Sequence, residues 1–181
     1  MESLRGQLLI ASPALFDPNF RRTVVLVTEH NEEGAMGLVL NRPSETAVSD
    51  GAPPLQALVE EDALVHLGGP VEPAAVTVLA EFDDPDESAA VVRGDIGFVR
   101  ADAELDDLPE TTRRARVFAG YCGWGAGQLE AELEGDDSWI LDTPEPDDVF
   151  ADAGDLWGDV LRRKGGQFAI VAMMPYDPSV N

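Results

Sequence analysis

The apolar positions of this chain change their spacing several times, and each change marks an element. In "LRGQLLIAS" apolar residues cluster between turn formers and predict a strand. "DPNF" at Asp17–Phe20 is a turn signature, with Pro18 fixing φ and Asn19 able to cap locally. "TVVLVT" at Thr23–Thr28 is rich in β-branched residues and apolar on both faces, which predicts a strand covered on both sides. "EHNEEG" turns the chain, and "AMGLVL" at Ala35–Leu40 predicts the second strand of a hairpin. "NRP" ends it, because proline cannot continue a ladder.

Further on, Pro53 and Pro54 can open a helix whose apolar residues Leu55, Leu58 and Val59 recur at helical spacing. Short strands are predicted at Leu64–Leu67 and Val76–Ala80, around Val91–Val92 and Phe98–Val99, and in "RVFAGY". "GQLEAELE" reads as a helix with Ala126, Leu129 and Leu133 on one side and carboxylates on the other, glutamates in its first turns suiting the dipole. "DLWGDVLRRKGG" is a fully punctuated helix. Asp155 can cap it, Leu156, Trp157, Val160 and Leu161 form its apolar stripe, Arg162–Lys164 face its negative end and Gly165 stops it. "QFAIVAMM" fits a buried element of either type. Strands and helices interleave without a repeat or a dividing linker. The expectation is therefore one domain over residues 1–181, an α/β sandwich with a mixed β-sheet and flanking helices.

Composition narrows the function classes. The 181 residues include 12 basic and 35 acidic ones, a net charge of −23. Such a field repels the phosphate backbone, which disfavours direct nucleic-acid binding. The basic clusters "RRAR" at Arg113–Arg116 and "RRK" at Arg162–Lys164 read as solvated tips and a helix C-terminus. The first ten residues lack the pattern of a signal peptide, and no apolar run is long enough to span a bilayer, so a soluble cytoplasmic protein with no membrane attachment is expected. Cys122, the one cysteine, cannot close an internal disulfide. With His30 and His66 it shows none of the spacing of a zinc site, and the acidic loop "EFDDPDE" does not match a calcium-coordination loop, so no metal is expected.

The candidate chemistry sits in "GYCGWGAGQLE", Gly120–Glu130, where a strand meets a helix N-terminus through a glycine cluster. That geometry can hold an anion on backbone N–H groups. The specific tests fail, however: Gln128 and Leu129 follow Gly127 where a P-loop needs Lys-Ser/Thr, and the glycines miss the dinucleotide spacing. A tight structural corner and a ligand or partner site both remain open. Cys122 reads as a small half-buried residue or a redox-sensitive thiol, since Trp124 stands where a nucleophile elbow needs its second glycine. Trp124 reads as a packing anchor or an exposed binding aromatic.

"GQLLIASPALFDPNFRRTVVLVTEHNEEGAMGLVLNRP" resembles the opening segment of the YqgE/AlgH family of bacterial proteins, and "HLGGPVEP" and "GYCGWGAGQLEAELEGDDSWI" resemble its second and third signature segments in the same order. The resemblance implies an α/β sandwich, no established catalytic residue or cofactor, and a label of transcriptional regulator for some members. It also implies a place: Ser12–Phe20, Asn41–Pro43, Gly68–Val71 and Gly120–Gln128 could converge on one shallow cleft. Its candidate residues are Asp17, Phe20, Asn41, Arg42, Gly68, Gly69, Gly120, Tyr121, Gly123, Trp124, Gly127 and Gln128. Cys122 occupies a position where relatives are expected to carry alanine or serine. The expected function is a regulatory or interaction protein binding a protein partner or small molecule in that cleft. An enzyme is the alternative, drawing on His66, Cys122, Asp17 and Asn41, and a DNA-binding regulator a weaker one.

Overall fold

The computed structural model describes residues 2–135, 137–151 and 154–175. The chain runs β1 (Leu8–Ala11), β2 (Val24–Asn31), β3 (Gly34–Val39), β4 (Pro43–Ala47) and α1 (Val48–Gly51), then a 3-10 turn at Pro53–Leu58. It continues through β5 (Leu64–Leu67), β6 (Val71–Phe82), a 3-10 turn at Pro85–Glu87, β7 (Ala90–Arg93), β8 (Ile96–Phe98) and α2 (Leu108–Thr111). Last come β9 (Thr112–Gly125), α3 (Gln128–Gly135), β10 (Trp139–Asp142), α4 (Pro146–Phe150), α5 (Leu156–Lys164) and α6 (Gln167–Val171).

The strands form one sheet in the order β10-β1-β2-β3-β9-β6-β8-β7, with β5 on β9 and β4 on β5. All described pairings are antiparallel except β5 with β9. The sheet is therefore mixed, as the alternating pattern predicts, and the α/β class holds. β2 and its neighbours are covered on both faces, which is why they read as unbroken apolar runs. Leu8, Ile10, Val24 and Leu26 point into a core shared with Leu79, Ile96, Phe118 and the α5 residues Trp157, Val160 and Leu161. The intervening Leu9, Val25, Val27 and Val39 point the other way, under Leu129 of α3. The outer face of the second half carries Val65, Val78 and Val117, closed by Leu55 and Val59.

Several elements differ from the sequence reading. Pro53–Leu58 is a 3-10 turn, closed by i→i+3 bonds from the Leu55 N–H to the Ala52 carbonyl and from the Val59 N–H to the Gln56 carbonyl. Pro43 ends one strand but opens another, β4, at a sheet edge where a missing donor does no harm. Glu81 and Phe82 of the acidic stretch still belong to β6. The element at "QFAIVAMM" is helical, α6. β9 is the largest departure: it starts at Thr112, before Arg116, and runs through the glycine cluster to Gly125. The turn into α3 is confined to Ala126 and Gly127, so Ala126 lies outside the apolar stripe of that helix.

β9 belongs to both halves of the sheet because it turns at Gly120. Strict alternation would put Cys122 and Trp124 on the side of Phe118. Instead Tyr121 joins the core of Phe118, while Cys122 and Trp124 point beneath α3. The one-residue slip falls at Gly120, whose φ is +76°. A second chain segment crosses there. The Gly68 N–H donates to the Ala119 carbonyl, and the Gly68 carbonyl accepts from the Val39 N–H, both bonds close to 2.9 Å or shorter. A Cβ on Gly68 would overlap the Gly120 carbonyl, one on Gly69 would overlap the Tyr121 backbone, and one on Gly120 would overlap the Gly69 carbonyl. Gly127 also has positive φ but stands in open space. Gly120→Ala is thus expected to lose about 2 kcal/mol or more, from left-handed strain plus collision, and Gly127→Ala only about 1 kcal/mol. Urea unfolding of the two variants side by side checks the difference.

Candidate functional site

Arg42, just past the end of the β2–β3 hairpin, ties the Asp17–Phe20 turn to this part of the sheet. Its guanidinium donates to the main-chain carbonyls of Asn19 at 2.6 Å, Pro18 at 2.8 Å and Arg21 at 3.1 Å. Five N–H donors in a planar fork suit such a fan of carbonyls, a task a lysine could not repeat. Asn41 beside it accepts from the Val24 N–H at 3.0 Å and donates to the Arg22 carbonyl at 2.9 Å. Asp17 accepts from the Asn19 N–H within the exposed turn. The Arg42 carbonyl accepts from the Leu67 N–H at 2.8 Å, which ties this loop to Gly68 and, through it, to Gly120.

On the other side of the crossing lie the aromatic residues. Phe20 packs edge-on to Trp139, and Trp139 edge-on to Trp124. Both indoles donate to the Glu132 carboxylate of α3, at 2.8 Å from Trp124 and 3.2 Å from Trp139. Trp124 is buried; Gly123 and Gln128 are exposed, the Gln128 side chain accepting from the Gly125 N–H as it closes the turn. A second anchor of α3 is His30, whose Nδ1 accepts from the Leu4 N–H at 2.9 Å. That places the ring proton on Nε2, which faces Glu130. The bond from His30 holds the Glu130 carboxyl below the ordinary carboxylate range, aided by a backbone N–H and opposed by burial.

Cys122 is fully buried and its thiol donates to the Gly68 carbonyl at 3.5 Å. Burial pushes its pKa up to about 12, against a smaller opposing pull from the Arg42 charge. A thiol so held is not a nucleophile at neutral pH. His66 lies elsewhere, its ring edge-on to Phe118 and its Nδ1 at the Leu64 carbonyl. No hydrogen bond among the described residues links any two of Asp17, Asn41, His66 and Cys122. No group of three metal-ligating side chains occurs among the described residues.

Asn41 and His66 do share a feature absent from the sequence reading: a groove of about 980 Å3 beside this junction. One wall is apolar, from Ala57, Leu58 and Leu64, and the other is formed by Phe150 and Leu156. Its floor is the first half of β9, including Arg113, Arg114 and Arg116. These arginines are not simply solvated tips. Arg116 is buried, donating to the Val149 carbonyl at 3.0 Å and the Phe150 carbonyl at 3.2 Å. Arg114 reaches both Glu81 oxygens and Asp147, and lies over the Phe150 ring. The sequence signal was the alternation of Arg114 and Arg116 with Ala115 and Val117, which is a strand pattern with arginines on one face.

The chain matches the AlgH-like family model over residues 8–169. It belongs to the AlgH-like family. Among relatives of this AlgH-like chain, a UPF0301 protein of Streptomyces avermitilis is 44% identical over 189 residues, covering 100% of this chain and 97% of the relative. One of Mycobacteroides abscessus is 43% identical over 182 residues, covering 97% and 87%. A crystal structure of a Corynebacterium diphtheriae protein superposes with a TM-score of 0.88 at 27% identity, covering 96% and 93%. The solution structure of the AlgH protein from Pseudomonas aeruginosa does so with a TM-score of 0.70 at 31% identity, covering 96% and 95%. Among the described residues of this AlgH-like chain, no helix is long and apolar enough to cross a membrane.

Two outcomes check this chemistry. A thiol reagent at mildly alkaline pH is expected to leave Cys122 untouched in the folded protein and to modify it fully in urea. The Glu130 carboxyl is depressed, so its stabilising contribution is complete above the ordinary carboxylate range and fades as pH falls through it to the folded value. The stability gap between wild type and Glu130→Gln is therefore expected to shrink on acidification, as measured by urea unfolding at stepped pH.

Proposed function

We propose that this protein is a cytoplasmic interaction protein with a regulatory role, holding a partner or small ligand in the groove between β9, the Pro53–Leu58 turn and the Phe150–Leu156 segment. The groove itself carries the reading. About 980 Å3 is the volume of a ligand-sized site, and its lining includes Asn41 and Pro43, the neighbours of Arg42. Its lining joins an apolar wall to a few oriented polar groups, Asn41, His66 and the β9 arginines, the mixture expected of a recognition site. The candidate nucleophile, Cys122, is buried as a neutral thiol. This favours binding over catalysis. The net charge of −23 weighs against a phosphate backbone as partner.

The test is a thermal-shift screen against nucleotides, organic acids and other cytosolic metabolites, repeated with Ala57→Trp. Ala57 lines the groove and is exposed, so the indole obstructs the site without entering the core. A ligand at 100 times its dissociation constant is expected to add about 2.7 kcal/mol in the wild type and nothing in the variant. Ligands whose shift is indifferent to Ala57→Trp would place binding outside the groove and overturn the proposal.

A further inference from the structure

His30, next to last in β2, is buried, and both of its ring nitrogens are committed. Nδ1 accepts from the Leu4 N–H at 2.9 Å, and Nε2 meets the Glu130 carboxylate of α3. A backbone N–H can only donate, so Nδ1 must keep its lone pair for the first bond to exist. The place left for a second proton is therefore the one that Leu4 occupies. An imidazolium would set two donors against each other at Nδ1, and the Leu4 bond would have to open.

The Ser3 hydroxyl also holds this end of the chain, donating to the His30 carbonyl at 3.1 Å. The Leu4 side chain, half-buried, packs against the cluster of Leu9, Val25, Trp124 and Leu129. Backbone bonds to β2 begin at Gly6, whose N–H donates to the Val27 carbonyl, and at Gln7, whose carbonyl accepts from the Val27 N–H. Residues 3–5 thus form a short arm tied down at one imidazole.

The charges around that ring come from three directions. α3 presents Glu130, and Glu134 one turn further on is exposed. The arm carries Glu2 and Arg5, both exposed, and the α-amino charge acts on Glu130. Across the sheet His30 pairs with Ala35 of β3, which pairs with Trp124 of β9, and neither is charged. On its own strand Glu29 is exposed. Glu130 is held below the ordinary carboxylate range, so it stays ionised between about pH 7 and pH 5 and balances a charge on the ring. The carboxylate admits an imidazolium; the Leu4 bond forbids it.

We propose that His30 is an acid-sensitive latch: protonation at Nδ1 releases the arm at residues 3–5 and uncovers part of the apolar cluster that Leu4 packs against. The device is independent of the groove. Imidazole is the side chain whose charge ordinarily changes between pH 5 and 8, which suits it to the task. Because docking and protonation exclude each other, the ratio of docked to released arm falls about tenfold for each pH unit below the midpoint of the ring.

The experiment follows the isotope-labelled full chain by NMR from about pH 7 to about pH 5, reading the His30 ring nitrogens, the Leu4 amide shift and the order parameters of residues 3–5. The ring is expected to start neutral with its proton on Nε2. As it becomes imidazolium, the Leu4 amide is expected to lose its hydrogen-bonded shift with the same midpoint. Order parameters of residues 3–5 are expected to fall from about 0.85 to below about 0.6, those of β1 staying unchanged. In His30→Asn, Oδ1 stands where Nδ1 did and accepts at any pH, so the arm is expected to stay ordered throughout. An imidazolium that forms while the Leu4 amide keeps its shift overturns the proposal. So does a ring that stays neutral to the end of the titration. An arm that loosens in His30→Asn with the wild-type midpoint overturns it too, since His66 is the histidine left in that variant. Should His30→Asn fail to fold, the wild-type titration decides alone.

Discussion

The close crossing of two backbones at Gly120 governs this structure. β9 can serve both halves of the sheet only by rotating its side chains at one point, and a left-handed residue is what allows that slip. The crossing segment at Gly68 and Gly69 approaches so closely that no Cβ fits on either side. From this one constraint follow the placement of Phe118 in the shared core and of Cys122 and Trp124 beneath α3. The groove lies beside Thr112–Val117, ahead of the residues of β9 that pair with β5. The glycine-rich segment Gly120–Gly127 is not part of the lining of that groove.

Around that crossing the acidic chain uses its few cations as staples. Arg42 gathers three carbonyls of the Asp17–Phe20 turn and its neighbour. Arg163 clasps Asp148 of α4 with two bonds, at 2.9 and 2.7 Å, and Arg116 holds the carbonyls at the end of the same short helix. A five-residue helix has too few internal bonds to persist alone. Its capping box and these arginines hold it over the core through Val149 and Phe150. Exposed ion pairs contribute little individually, but charge-assisted bonds to partly buried groups fix geometry. The walls of the groove owe their position to such bonds.

Much of the architecture was legible along the chain. The doubly apolar run at Thr23–Thr28, the hairpin, the strand at Leu64–Leu67 and the capped α5 helix all follow from local pattern, because period, caps and turn formers act over a few residues. Family membership was legible too, from segments whose glycines and turn residues meet steric demands that few alternatives satisfy. What escaped were features set by distant contacts. Pro43 opened a strand because it sits at a sheet edge, where its missing N–H has no partner to lose. The arginines of Arg113–Arg116 looked solvated because nothing nearby in sequence shows that α4 will fold back onto them.

By itself, the sequence determined the alternation of strands and helices, the acidic surface, the scarcity of nucleophiles and the family. Those are properties of composition and of contacts a few residues long. Only the tertiary structure decided that Cys122 is sealed under α3, that Arg116 is buried, and that the first half of β9 lines a groove. Each depends on which segments, separated by tens of residues, come to lie side by side. Loop closure and sheet register fix that choice, and neither is written in any one stretch of the chain.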